Sequence, residues 1–292
     1  MFSIFIASAF TVFLLVSSPY GYATDKLSLT ICKSTAISNK SNTKYLFPPA
    51  DKYQKKATKL DLHDFDNLIG YLENSLKIDF QRVQTIETTR AGGLIAKVET
   101  ASGDFTLKQV LNHEEIENDV LSFEVMKLFL NDNPDISVRV VNYEHLPDFG
   151  FKMEYVPGIT MEHIGYEYLS HAKDVLYSLR FNPIIKRIEE SNVPIDVATQ
   201  AFENYGKFQI RFEAWIQEEF PRAIKKSRYQ MYSLNLYDIR KRDEIKGLLA
   251  LANQSFMEKI NPLKYPMVRV FPHSKNILVD ARDGSLVLID PF

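Results

Sequence analysis

Two apolar runs near the end of the 292-residue chain are bounded by residues able to ligate a hard cation. Asn276 opens Ile277-Leu278-Val279-Asp280, and Asp290 closes Leu286-Val287-Leu288-Ile289. The linking Asp280-Ala281-Arg282-Asp283-Gly284 reads as a turn, so the runs predict a β-hairpin with Asn276 and Asp290, 14 residues apart, at its open end. An amide oxygen and a carboxylate in that position suit Mg²⁺. The plainer alternative is a capped hairpin ending in a solvated aspartate.

Three other features carry chemistry. Lys108 stands in the apolar strand Phe105–Val110, ahead of a helix rich in Glu114, Glu115, Glu117, Asp119 and Glu124. A lysine so placed holds nucleotide phosphates while paired to a helix carboxylate, although most strand lysines face solvent. Gly92-Gly93 lies at a hairpin tip, where bare backbone N–H groups can approach phosphate, or is only a turn. Phe151-Lys152-Met153-Glu154-Tyr155-Val156-Pro157-Gly158 is an apolar strand entering a Pro-Gly bend. It is either an ordinary strand end or a hinge whose backbone, at Glu154 and Tyr155, meets a purine edge.

The elements that must position these residues follow from periodicity. Asp64 is expected to cap a helix with Phe65, Leu68, Ile69, Leu72 and Leu76 on one face. Strands are predicted around Val83–Thr88, at Leu94–Thr100 and at Phe105–Val110, the last two joined by the turn Ala101-Ser102-Gly103-Asp104. A helix over about 114–131 buries Ile116, Val120, Leu121, Val125 and Leu128. Residues 137–143 and 150–155 read as strands, 161–262 as helical nearly throughout, and 267–271, 277–280 and 285–290 as short strands. Ala201–Lys226 and Tyr237–Ile260 carry the clearest helical period. No internal repeat is present.

Composition sets the class. With 45% hydrophobic, 25% charged and 12% aromatic residues, the chain is ordinary globular material. A net charge of −2 gives no global basic field for nucleic acid. The single Cys32 precludes an internal disulfide or a Cys-rich metal site. Residues 2–17 are nearly all apolar and short of the roughly 20 that span a bilayer. Gly21-Tyr22-Ala23 then supplies small residues at −3 and −1, so 1–23 reads as a cleaved secretory signal lacking a basic n-region. The expected product is secreted, periplasmic or luminal, without a stable membrane span. Residues 24–60, containing KSTAISNKSNTK and Pro48-Pro49, read as a polar arm.

Together the motifs resemble the protein-kinase-like superfamily, specifically its aminoglycoside-phosphotransferase and atypical-kinase branch. MEYVPG at 153–158 looks like that branch's hinge, and NILVDARDGSLVLIDPF looks like its metal-binding hairpin. Lys108 matches the strand lysine. Asn118-Asp119-Val120-Leu121 looks like the start of the helix that supplies its partner, either Asp119 or Glu117. The likeness covers roughly 82–158 and 266–292. It implies an α+β, two-lobed kinase-like fold: an antiparallel β N-lobe (61–158, with the preceding helix and hinge) and a mainly helical C-lobe (159–292) ending in the hairpin. It implies ATP with Mg²⁺ or Mn²⁺, the metal on Asn276 and Asp290.

Two departures stand out. The family carries an Asp five residues before the metal-binding Asn, accepting the substrate hydroxyl proton. Here Phe271 occupies that place in Phe271-Pro272-His273-Ser274-Lys275-Asn276. His273 matches a histidine of the branch and is the candidate catalytic residue, as general base or as donor to phosphate. The chain also ends two residues after Asp290, so the helices of 161–262 are expected to replace those that normally follow. Their basic stretches, Arg222, Lys225, Lys226 and Arg228 and then Arg240, Lys241 and Arg242, either line an anion site or form a solvated face. Three functions follow: a phosphotransferase using ATP on an unidentified acceptor, a pseudokinase serving as a binding module, or an ATP-dependent ligase or nucleotidyl transferase.

Overall fold

A computed structural model describes residues 30–32, 44–49, 62–88, 93–146, 149–165, 186, 188–226, 231–252 and 267–290. The expected signal at 1–23, most of the polar arm, Gly92 and Arg228 lie outside them. The protein is mixed α+β, with mainly antiparallel sheets. Its described residues divide into two compact units. The first holds 30–32, 62–88, 93–111, 146 and 149–155; the second holds 44–49, 112–145 and 156–290. Among the described residues, no helix is long and apolar enough to cross a membrane.

The first unit is built on a sheet in the order β1-β2-β3-β4-β7-β6. Its strands are β1 (Thr30–Cys32), β2 (Phe80–Thr88), β3 (Leu94–Thr100), β4 (Gly103–Gln109), β7 (Gly150–Glu154) and β6 (Tyr143–Leu146), which enters the unit at Leu146. Helix α1 (Leu62–Gly70) continues as a π turn, Tyr71–Ser75. It buries the expected Phe65, Leu68 and Leu72 in one core with Leu94, Ala96, Val98 and Leu107. The helix starts two residues before Asp64, which therefore sits in its first turn and is not its cap. Strand β2 does not alternate simply: its register shifts between Phe80 and Arg82 and between Thr85 and Glu87, and Phe80, Val83 and Thr85 are buried. The arm is not wholly a tether, because Thr30–Cys32 pairs antiparallel with Arg82–Gln84.

In the second unit, α2 (His113–Asp132) buries the predicted apolar face. A sheet follows in the order β5-β13-β12-β8, comprising β5 (Val138–Val140), β8 (Gly158–Thr160), β12 (Ile277–Asp280) and β13 (Leu286–Leu288). Strands β12 and β13 form the expected hairpin, Ile277 opposite Leu288, while β13 runs parallel to β5. Residues 112–145 belong to this unit, whereas the sequence boundary fell at 158.

Helix α3 (Ile195–Glu219) buries Ala201, Tyr205, Phe208, Phe212 and Trp215 on one stripe. Phe129 of α2 meets Phe208, Phe212 and Trp215 edge-on, with centroids 5.1–5.7 Å apart. The helix stops at Glu219 instead of running to Lys226, because Pro221 disfavours helical backbone at Phe220. The next residues are strands, a second departure from the expected all-helical stretch. β9 (Ile224–Lys226), β10 (Met231–Asn235) and β11 (Met267–Val270) form a sheet in the order β11-β10-β9. Tyr232, Ser233 and Leu234 of its central strand are buried. Helices α4 (Leu236–Lys241) and α5 (Asp243–Ala252) complete the described residues here. Arm residue Phe47 is buried, and the Leu46 N–H donates to the Ala281 carbonyl at 2.7 Å.

Gly158 is fixed by close approach: a Cβ there would overlap the Val279 carbonyl oxygen on the paired strand. Gly158→Ala should therefore destabilise the protein by about 2–3 kcal/mol through overpacking. Urea unfolding tests this, and an unchanged midpoint would show that β8 yields without cost.

Candidate functional site

The hairpin's open end is organised by the six residues that lead into it. After β11 the chain turns through a 3₁₀ turn, Ser274–Asn276, before entering β12. The His273 N–H donates to the Phe271 carbonyl at 2.7 Å, and the Asn276 N–H donates to the His273 carbonyl at 2.8 Å. Asn276 Nδ2 donates to the Phe271 carbonyl at 3.2 Å, which orients its amide oxygen the other way. The Ile289 N–H donates to the Asn276 carbonyl at 2.9 Å. That bond places Asn276 and the Ile289-Asp290 dipeptide side by side. From β8 and the turn beyond it, Met161 N–H donates to Ile277 O and Glu162 N–H to Ser274 O.

His273 does local work as well. Its Nδ1 accepts from the Lys275 backbone N–H at 3.2 Å, and the Ser274 hydroxyl lies 3.4 Å from the same nitrogen. With Nδ1 accepting, the ring hydrogen sits on Nε2. The geometry thus favours a donor over a general base, the two roles left open by the sequence. Phe271 is buried and stacks on the imidazole, with centroids 4.9 Å apart and planes 25° apart.

Residues that pattern reasoning passed over hold this loop. Arg269 of β11 donates its N–H to Asn118 Oδ1 at 2.7 Å, and its carbonyl accepts from Asn118 Nδ2 at 3.1 Å. The Ser122 hydroxyl donates to the same carbonyl at 2.7 Å. Asn118 and Ser122 are one helical turn apart on α2, the only signal the sequence offered. From α3, the fully buried Tyr205 donates its hydroxyl to the Pro272 carbonyl at 2.8 Å. Glu117 and Asp119 flank Asn118, each about 100° around the helix from it; Asp119 is buried and Glu117 half-buried. Glu124, also in the acid-rich run, is structural: it accepts from Tyr143 Oη at 2.5 Å and Lys127 Nζ at 2.8 Å. Burial and the Glu124 charge push the Tyr143 phenol well above its ordinary range.

Lys108, Gly93, Glu154 and Tyr155 lie in the first unit. Lys108 is not a solvated strand lysine: it is 6% exposed, opposite Ile95 and Phe151, with Nζ 5.9 Å from the Phe151 ring centroid. Burying an ammonium is costly without compensating charge, which sets this lysine apart from an ordinary surface cation. Gly150, at φ +142°, lets β7 approach, since a Cβ there would overlap the Lys108 carbonyl oxygen. Gly93 is buried beside the start of β3. Glu154 pairs opposite Phe105, and Tyr155 lies under Lys97 Nζ at 4.4 Å from its ring centroid. Burial alone would lower the Lys97 pKa, but Glu99, Tyr155 and Asp104 together raise it.

Three residues of the basic stretches have acidic partners. Arg222 bonds Asp238, Lys225 bonds Glu213, and Arg242 bonds Glu219. Asp280 is likewise absorbed by structure: its buried carboxylate takes Arg282 Nε at 2.9 Å and the Arg282 backbone N–H at 2.9 Å. Asn276 and Asp290 flank the hairpin's open end, at the other end from Asp280. Among the described residues, no group of three or more His, Cys, Asp or Glu is placed to hold a metal ion. A hydrated Mg²⁺ takes only one or two protein oxygens beside substrate phosphates, so an amide and a carboxylate fit its chemistry.

Asn118→Ala removes the bonds to the Arg269 N–H and carbonyl, the carbonyl keeping its bond from Ser122, and should cost about 2 kcal/mol, while Tyr205→Phe removes one hydrogen bond for about 1 kcal/mol. Chemical denaturation of both variants checks the order; equal stability to the parent would refute the anchoring.

The chain matches no family model and no curated protein.

Proposed function

We propose that the protein binds ATP with Mg²⁺ or Mn²⁺ on a two-lobed, kinase-like fold and transfers phosphate to an acceptor. The observation carrying this reading is the hairpin end, where Asn276 and the Ile289-Asp290 segment just past β13 are joined by the Ile289-to-Asn276 backbone bond. In this reading Asn276 and Asp290 hold the metal, which bridges phosphate oxygens and offsets their charge. Lys108 of the first unit serves the nucleotide phosphates, and its burial supports that role. The carboxylate partner, Glu117 or Asp119, comes from α2. His273 offers Nε2–H to phosphate. The apolar N-terminal run supports delivery to a secretory, periplasmic or luminal compartment.

One observation favours a second reading, a nucleotide-binding module without transfer. Phe271 fills the place of the family's proton-accepting Asp and is buried against His273.

A thermal-shift titration separates these. ATP with Mg²⁺ at 100 times its Kd stabilises by about 2.7 kcal/mol, a rise of roughly 5–10 °C. The rise should vanish without metal and in Asp290→Ala. No shift under any condition would sink both readings. If the shift holds, γ-labelled ATP decides between them: label transferred to an acceptor marks a phosphotransferase, and binding without transfer marks the module.

A further inference from the structure

The arm meets the second unit at the turn of the β12–β13 hairpin, and it does so through one buried side chain. Among arm residues 44–48, Phe47 is buried and the other four are exposed. One backbone bond accompanies that anchor, from the Leu46 N–H to the Ala281 carbonyl at 2.7 Å. The Leu46 side chain reaches the same turn, since a Cβ on Gly284 would lie 3.8 Å from Leu46 Cδ1. Ala281 is a junction: its own N–H donates to the Pro157 carbonyl at 2.6 Å. The arm, the hairpin turn and the residue leading into β8 thus meet at one position. The hairpin beyond it is short. Three register pairs, Ile277 with Leu288, Leu278 with Val287 and Val279 with Leu286, separate the turn from the open end. β8 and β5 flank its strands, and the arm holds its turn.

The sequence makes this part of the arm a ready ligand. Phe47 precedes Pro48-Pro49, and a residue before proline is biased to extended backbone whether docked or not. A segment already extended loses little conformational freedom on docking. One anchor and one backbone bond also open more readily than a packed core. We propose that residues 44–49 are a strap: an intramolecular peptide ligand that docks and undocks through Phe47. Docking holds the hairpin turn and stiffens the open end flanked by Asn276 and Asp290. Control of nucleotide binding by the strap rests on the ATP reading, whereas the strap itself does not.

Hydrogen exchange of the full chain, followed over residues 277–288, tests the proposal. Phe47→Ala should speed exchange there by about tenfold, as local opening of the hairpin requires, and leave residues 205–216 of α3 unaltered. A synthetic peptide of residues 43–50, TKYLFPPA, added in excess to that variant should restore protection. The same peptide carrying Phe47→Ala should not. Leu46→Pro deletes the N–H that meets Ala281 at an exposed position. It should speed the same amides, so it remains decisive where Phe47→Ala does not fold. ATP affinity in the presence of Mn²⁺ should fall in Phe47→Ala and return with the peptide. Unaltered exchange over 277–288, an equal rise in α3, or no rescue by the peptide overturns the proposal. So does ATP affinity that holds in Phe47→Ala despite faster exchange. The two readings fail separately: peptide-rescued exchange with no ATP binding by the parent refutes the nucleotide reading alone. ATP binding by the parent with unaltered hairpin exchange in both variants refutes the strap alone.

Discussion

The outer edge of β11 has to be satisfied without another strand, and the Asn118 side chain does it. β11 pairs with β10 on one side, which leaves Arg269 directing its N–H and carbonyl the other way. Unpaired backbone groups in a buried place cost about as much as a lost hydrogen bond each. The Asn118 amide offers one acceptor and one donor, the same complement that a neighbouring strand would present. A helix thus closes the sheet edge, which also keeps that edge from pairing with another chain. The consequence reaches the site: Arg269 lies two residues before Phe271, so the start of the loop is set by α2. Tyr205 sets its middle from α3, through Pro272. Two helices and a strand therefore decide where His273, Lys275 and Asn276 stand.

From there, local chemistry makes the loop. Phe271 supplies a buried surface against which an imidazole and an ammonium rest. The Asn276 amide is turned by its bond to the Phe271 carbonyl, so one backbone oxygen helps orient the candidate metal ligand. Two acids are engaged by structural pairing. Asp280 is consumed by Arg282, and Glu124 by Tyr143 and Lys127.

Much of this was legible in the sequence, and for a physical reason. The apolar stripes of α1 and α2 and the runs of β3, β4, β12 and β13 are set by burial period, which is a local property. The hairpin turn is set by Asp-Gly chemistry at Asp283-Gly284. What was missed depends on partners distant in sequence. Thr30–Cys32 and Met231–Asn235 are strands because they find strand edges, and their own residues do not announce it. The end of α3 was legible in principle from Pro221, but the continuing apolar period past it pulled the reading on to Lys226. The Asn118 clamp could not be read at all, because its partner Arg269 lies 151 residues away. Arg222, Lys225 and Arg242 read in sequence as part of a basic patch, and their acids, contributed partly by α3, come from elsewhere in the chain.

The central claim is that the open end of the β12–β13 hairpin binds a metal–nucleotide complex. Its most direct test is a crystal structure of the chain grown with Mn²⁺ and a non-hydrolysable ATP analogue, read by anomalous scattering. The account predicts a manganese peak bonded to Asn276 Oδ1 and the Asp290 carboxylate, with analogue phosphate oxygens completing its shell. A nucleotide bound elsewhere, or Mn²⁺ with no ligand from either residue, would contradict it.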